Sequence, residues 1–154
     1  MKKRTPKIEL LMKDTYLKVI ENSVGSKLFR NSYALVDGKK RDLLRNGDLS
    51  CAIFVSAVLK IFNLVKEVHH TVSSTLEDMK KIGWKAIKMP KEGSVIVWEK
   101  KTFGGETHAH IGFYIGNKKA VSNSTDKCWP TKHDITFKGK RKIEAIYWHK
   151  KING

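Results

Sequence analysis

The first thirty residues carry an apolar pattern with the period of a helix. Apolar side chains recur every three or four positions, at Ile8, Leu11, Met12, Tyr16, Val19 and Ile20. Side chains at this spacing share one helix face, so the pattern predicts an amphipathic helix over residues 7–22. Gly25 follows and is a typical helix stop. From there to residue 48 the chain is polar and rich in turn-forming residues, which predicts loops.

The next apolar stretch, residues 51–65, is apolar at nearly every position of each helical turn. A helix that is apolar almost all round is buried, so we predict a central core helix here. Asp48 and Ser50 are both suitable N-caps for it. A second helix is predicted from Ser74, because Glu77 three residues later completes a capping box.

Beyond residue 90 the pattern changes to that of strands. Segments rich in β-branched and aromatic residues lie at 94–99, 110–116, 120–124 and 143–149. Tight turns between neighbouring segments favour antiparallel pairing. Helices first and strands later are typical of an α+β domain. We predict a single domain over residues 1–154, with a helical and loop region at 1–45 and a core at 46–150, in which the sheet packs on the central helix.

The chain is strongly basic, with 31 Lys and Arg residues against 15 Asp and Glu residues and a formal net charge of +16. Such a surface attracts polyanions, among them nucleic acid, anionic lipid and the acidic polymers of a bacterial wall. A lysine-rich proteome, in which Lys is the default solubilising residue, would give the same balance. The charge therefore permits several partners and selects none of them.

No segment has the composition of a membrane span or of a secretory signal. The longest apolar run, residues 52–65, contains Ser56, Lys60 and Asn63 and is too short to cross a bilayer. The basic start of the chain lacks a continuous apolar run. We therefore expect a protein that is cytoplasmic as encoded and that would reach a wall substrate through a phage lysis system or another non-standard route.

Cys51 stands where a polar turn meets the predicted central helix. A helix N-terminus lowers a thiol pKa, because its unpaired N–H groups and its dipole favour negative charge. The same N–H groups can stabilise an oxyanion that forms nearby. A buried structural cysteine would fit this stretch equally well. The choice depends on whether a base lies elsewhere in the chain.

His110 is the candidate base. It opens the predicted strand over residues 110–116, where alternation places it on one face of the sheet. A cysteine on a helix tip and a histidine on a sheet are the pair that a papain-like enzyme needs, with a third polar group to orient the imidazole ring. A histidine at a strand edge without any partner is the alternative.

Three successive blocks of the chain resemble those of one family. The blocks are LSCAIFVSAVL at residues 49–59, GSVIVWEK at 93–100 and HAHIGFYIGNKKAVSNS at 108–124. Their content and order are similar to those of the NlpC-type cell-wall cysteine peptidases and their CHAP-like relatives, over residues 46–125. The resemblance implies a papain-like α+β fold and cleavage of peptide or amide bonds in peptidoglycan stem peptides or crosslinks. It implies no cofactor and no obligatory protein partner.

The resemblance also implies a catalytic triad. Cys51 corresponds to the nucleophile of the family and His110 to its base. An ungapped count from His110 places the third, polar position at Ser122. Asn123, one residue on, is the better chemical match, and since successive strand residues face opposite sides, only one of the two can point at His110.

The substrate-binding residues depart from the family pattern. The family usually has Asp-Cys-Ser-Gly at the nucleophile, whereas this chain has Ser50-Cys51-Ala52. We expect Ser50 and Ala52, at the start of the central helix, to contribute to the oxyanion and substrate site. Tyr33 is a candidate for the upstream tyrosine that binds the scissile carbonyl in relatives.

His108 and His110 alternate on one predicted strand and could share a metal ion. A third ligand would have to come from Cys128, His133 or Glu106, and no spacing requires it. We therefore expect no metal site. Two thiols do not make a disulfide framework in a chain of this size, so both cysteines are expected to be reduced and Cys128 to have no role.

Two other functions fit the same sequence. A papain-like domain with an inactive site could use its charge to bind nucleic acid or another polyanion, and its affinity would then fall steeply with salt. An active site could instead serve an amidase or acyltransferase with a substrate outside the wall. Reactivity of Cys51 separates the binding module from both enzymes.

Overall fold

Three helices precede the main sheet in the computed structural model, which describes residues 1–153. They are α1 (Met12–Asn22), α2 (Cys51–Ile61) and α3 (Val72–Ile82). Between α1 and α2 lies a hairpin of two short strands, β1 (Tyr33–Val36) and β2 (Lys39–Asp42), which form a sheet of their own. Among residues 1–153, no helix is both long and apolar enough to cross a lipid bilayer.

Six further strands form the main sheet. They are β3 (Lys85–Ala86), β4 (Val95–Phe103), β5 (Glu106–Gly116), β6 (Lys119–Ser124), β7 (Trp129–Asp134) and β8 (Ile143–Trp148). Their spatial order is β3-β8-β4-β5-β6-β7, and each pair of neighbours is antiparallel. The α+β class and the antiparallel sheet are therefore as predicted.

The predicted helix boundaries were wrong in three places. The first helix begins at Met12 rather than residue 7, because Ile8 is exposed and has no core to pack on. The central helix ends at Ile61 rather than residue 65, since Asn63 adopts a left-handed conformation that continues no helix. The third helix is capped by Thr71, whose hydroxyl accepts the Ser74 N–H, and not by a Ser74–Glu77 box.

Alternation along the strands gives the main sheet two apolar faces. On one face α2 packs against β5 and β6, and its buried residues meet the inward side chains of the sheet. For example, the ring centroid of Phe54 on α2 lies 5.5 Å from that of Phe113 on β5. The opposite face carries a smaller cluster, Ile96, Trp98, Ala120 and Ile146, which the loop between β7 and β8 covers. This second cluster borders the candidate site.

Candidate active site

Cys51 is the first residue of α2 and is half-buried. The backbone N–H groups of Ile111 on β5, of Ala52 and of Cys51 itself lie near enough to the sulfur to favour its thiolate form. Ile111 directly follows His110 in β5. The helix tip therefore holds the thiol against the strand segment that carries the candidate base.

The loop before Cys51 approaches β6 and β7 closely. Gly47 has a φ of 97°, and a Cβ at this position would lie 2.5 Å from the Cys128 carbonyl oxygen. Asn123 on β6 donates from Nδ2 to the Gly47 carbonyl oxygen at 2.8 Å. A residue without a side chain is thus required at 47, and its contacts set where the tip of α2 begins.

Opposing influences act on the Cys51 thiol. Burial raises the pKa of Cys51, whereas the N–H groups of Ile111 and Ala52 and the positive charge of Arg141 act to lower it, and burial prevails. The resting thiol is consequently protonated near neutral pH. A nearby base must take its proton before the sulfur can act as a nucleophile.

His110 is buried on β5, with 8% of its surface exposed. Its ring Nε2 lies 2.8 Å from the Ser122 hydroxyl on β6. Within residues 1–153, His110 makes this hydrogen bond and none to the Cys51 thiol. Burial lowers the pKa of His110 to about 3, and the nearby charges of Arg141 and His133 act in the same direction. The ring is therefore neutral at rest and able to accept a proton.

A chain of three side chains sets the tautomer of His110. His133 Nδ1 lies 2.7 Å from the Asp134 carbonyl oxygen, which can only accept, so Nδ1 of His133 carries the proton. Burial lowers the pKa of His133, which keeps the ring neutral and leaves its Nε2 as an acceptor. Ser122 then donates to that nitrogen at 2.7 Å and accepts from His110 Nε2.

The consequence is a bare Nδ1 on His110. With the proton of the neutral imidazole on Nε2, the lone pair of Nδ1 is free to accept a proton from another group. A single backbone carbonyl, that of Asp134, determines this arrangement through His133 and Ser122. Protonation of His110 by a thiol would not break the bond to Ser122, because Nε2 donates in both charge states.

Aromatic side chains enclose the two histidine rings. The Trp98 ring centroid lies 5.3 Å from that of His110 and 5.6 Å from that of His133. Phe137 stacks on His133 at 4.0 Å with an interplanar angle of 14°. Gly112 leaves room for this packing, since a Cβ there would lie 2.7 Å from the Ser122 Cβ. These walls exclude water from the imidazoles and account for the depressed pKa values.

The remaining residues that the sequence predicted for the site have separate surroundings in the fold. Ser122 contacts His110, whereas Asn123 contacts the loop before the helix and leaves its buried Oδ1 without a partner. Ser50 is fully buried at the N-cap of α2, and its hydroxyl also has no partner within residues 1–153. Tyr33 lies on β1, 62% exposed, with Lys40 Nζ 4.5 Å from its ring centroid.

The alternating histidines 108 and 110 have separate environments. His108 is exposed, and its Nε2 lies 3.1 Å from Glu106 Oε2. The Glu106 carboxylate in turn receives two hydrogen bonds from Arg45, each of 2.8 Å, which lower its pKa to about 2. Within residues 1–153 no group of three metal-ligating side chains comes together.

Two residues of the site were not predicted from the sequence. His133 was considered only as a metal ligand, because the polar segment that forms β7 has no strand pattern. Arg141 lies in a basic segment of the chain with no pattern that marks it as a site residue, although its charge acts on both Cys51 and His110. The one feature of the sequence that could have indicated this part of the site is a second histidine, His133, two strands after His110.

No family model matches the chain, and no curated protein matches it significantly.

The depressed pKa of His110 has a consequence for stability. The value is about 3 in the folded protein, against about 6.5 for an exposed imidazole. Between these values the unfolded chain binds a proton that the folded chain does not, so the free energy of unfolding falls as the pH falls. The loss amounts to about 1.4 kcal/mol per pH unit for this group.

Replacement of His110 by Asn is therefore expected to flatten the pH dependence of stability. Between pH 6.5 and 4.5, urea unfolding should show a loss that is about 2–3 kcal/mol smaller in the His110→Asn variant than in the parent protein. The exposed His70 provides a matched control, and His70→Asn should keep the parent slope. Equal slopes in all three proteins would show that His110 is not buried in its neutral form.

Proposed function

We propose that the protein is a thiol hydrolase with papain-like, NlpC-type architecture that cleaves peptide or amide bonds. The observation that carries this proposal is the juxtaposition at the tip of α2. There, a cysteine lies against the strand of a buried, neutral histidine whose tautomer is set by Ser122 and His133. Packing alone would not require a chain of three polar side chains in this position.

Acylation would begin with proton transfer. His110 Nδ1 takes the Cys51 proton as Sγ forms its bond to the carbonyl carbon of the substrate. The resulting oxyanion is stabilised by backbone N–H groups at the start of α2, among which that of Ala52 is a candidate. The C–N bond then breaks, and His110 returns the proton to the leaving amine. A thioester on Cys51 remains.

Deacylation would follow by the same route with water. His110 Nδ1 takes a proton from the water molecule as the water oxygen bonds to the acyl carbon, the C–S bond breaks, and the proton returns to Sγ; the carboxylic acid product leaves and loses its proton to solvent. In both steps His110 carries a positive charge in a buried site. Ser122 compensates in part, because its hydroxyl oxygen accepts from Nε2 throughout. Ser122 and His133 are thus positioning residues.

The substrate is inferred from the resemblance and from charge. NlpC-type enzymes act on peptidoglycan peptides, and a net charge of +16 would hold the protein on an anionic wall polymer. We therefore propose stem peptides or crosslinks of bacterial wall material as the substrate class. An amidase or acyltransferase acting outside the wall would use the same site chemistry.

Alkylation by iodoacetamide tests the dyad without a known substrate. At pH 6, where the Cys51 thiol is protonated at rest, alkylation of Cys51 should be about tenfold slower in a His110→Ala variant than in the parent protein, because no imidazole then accepts the thiol proton as the reagent attacks. The same variant should leave the alkylation rate of Cys128 unchanged. Peptide mapping separates the two cysteines, so Cys128 serves as the internal control.

Two variants of His133 refine the same experiment. His133→Leu removes the acceptor of the Ser122 proton, and His110 can then adopt either tautomer, so the rate at pH 6 should fall about tenfold. His133→Gln keeps an acceptor and should restore much of the rate. Nitrogen NMR of His110 should show Nε2–H in the parent and a mixture in His133→Leu. An alkylation rate of Cys51 that is the same in the parent protein and in His110→Ala would contradict the proposed function and favour a polyanion-binding module.

A further inference from the structure

Arg141 is held beside the candidate dyad by backbone carbonyls. Its Nε donates to the Glu99 carbonyl oxygen at 3.0 Å, and its Nη2 donates to the His108 carbonyl oxygen at 3.1 Å. His108 precedes His110 by two residues on β5. Trp98 on β4 pairs with both His110 and Ile143, which brings the start of β8 close to the same part of β5. The side chain is half-buried, and both anchors are rigid strand atoms.

The guanidinium retains donors for another partner. An arginine side chain has five N–H donors, and the two carbonyl bonds use two of them. No carboxylate lies within ion-pair distance of Arg141 in residues 1–153. Glu99 is the acidic residue whose charge acts on Arg141. Its Oε1 accepts a hydrogen bond from the Lys142 backbone N–H at 2.9 Å rather than from the guanidinium. A partly buried cation without a counter-ion is costly unless a ligand completes it.

Arg141 also acts on the reacting groups. Its charge is one of the influences that favour the Cys51 thiolate, and it opposes protonation of His110. A lone positive charge would therefore hinder the formation of the imidazolium that the proposed mechanism requires. An anion bound on Arg141 would remove this hindrance at the moment the substrate arrives.

We infer that Arg141 is a specificity residue, which binds a carboxylate of the substrate close to the scissile carbonyl. This inference rests on the proposed function, and it narrows the substrate class to acyl compounds that carry a free carboxylate beside the bond to be cleaved. The planar, forked guanidinium suits a carboxylate, because two parallel N–H···O bonds can form. Neutral substrates of the same shape would leave the arginine unpaired and would be cleaved more slowly.

Two alkylating reagents test this inference directly. Iodoacetate carries a carboxylate where iodoacetamide carries a neutral amide. Both reagents alkylate the sulfur of Cys51. The rate with iodoacetate divided by the rate with iodoacetamide should be larger at Cys51 than at Cys128 in the same molecule. In Arg141→Gln the Cys51 ratio should fall about tenfold, and in Arg141→Lys it should fall less, because the charge remains.

A matched control accounts for the overall basic charge. Lys142 is exposed and directly follows Arg141, and Lys142→Gln removes the same unit of charge. This variant should keep the parent ratio. A ratio that is equal at Cys51 and Cys128, or that falls as much in Lys142→Gln as in Arg141→Gln, would overturn the inference.

Protection of the unmodified protein gives a second readout that does not depend on folding of a variant. Acetate, but not acetamide, should slow the alkylation of Cys51 by iodoacetate at constant ionic strength, because acetate competes with the reagent for Arg141. Equal rates with both additives would overturn the role of Arg141, and the proposed hydrolase would stand if Cys51 still depended on His110. A Cys51 that reacts with neither reagent would overturn the proposed function and, with it, the inference.

Discussion

Replacement of Cys51 by serine is expected to lower the proposed hydrolysis of peptide or amide bonds by about a thousandfold or more. The hydroxyl of serine is far less acidic than a thiol, and a neutral His110 in a buried site is a weak base for it. Binding of the substrate should change little, so the loss should fall on kcat rather than on KM. The measurement is the release of new amino groups from solubilised peptidoglycan fragments, followed by mass spectrometry.

The second cysteine offers the matched control for this experiment. Cys128 lies in the turn before β7, where its thiol donates to the Thr125 carbonyl oxygen. Cys128→Ser should retain the parent rate within about twofold, since a serine hydroxyl can donate the same hydrogen bond to the Thr125 carbonyl oxygen. Full activity of Cys51→Ser, or a loss of activity in Cys128→Ser alone, would contradict the assignment of the nucleophile.

Replacement of Trp98 by alanine is expected to be the most damaging change to the folded site. Trp98 is fully buried, donates from Nε1 to the Ile135 carbonyl oxygen at 2.7 Å, and contacts the rings of His110 and Phe137. Loss of a buried tryptophan costs about 3–5 kcal/mol of unfolding free energy. Water entering the space should also raise the pKa of His110 toward its ordinary value.

Urea unfolding at pH 7 measures the first effect, and NMR titration of the His110 ring measures the second. Phe103 lies on the same strand β4 but is 66% exposed. Phe103→Ala should therefore change the free energy of unfolding by no more than about 0.5 kcal/mol. A Trp98→Ala variant as stable as Phe103→Ala would show that the second apolar face of the sheet contributes little to the fold.

The elements with strong local patterns were predictable from the sequence. The apolar stretch from Cys51 becomes α2, and it lies in the core because almost all of its positions are apolar. The strand segment that begins at His110 lies within β5, with Ile111 and Phe113 inward on the helix side. In both cases a local periodicity is repeated by the burial pattern, so no distant information was needed.

Other elements depend on contacts that no local pattern records. β7, the segment Trp129–Asp134, alternates poorly and contains Pro130, and it is a strand because β6 supplies the pairing partners. The β1–β2 hairpin is polar and largely exposed, so its segment has the composition of a loop. Residues 7–11 have the helical period but remain outside α1, because nothing packs on them.

The amino-acid sequence by itself determined the α+β class, the buried central helix with a cysteine at its start, and a histidine on the strand that packs near it. The tertiary structure alone decided that Ser122 rather than Asn123 contacts His110, that His133 sets the tautomer, and that the charge of Arg141 acts on Cys51 and His110. The physical reason is one of range. Helix burial and strand alternation arise from neighbours within a few residues, whereas a proton position depends on groups that strand pairing brings together from 11 and 12 residues apart.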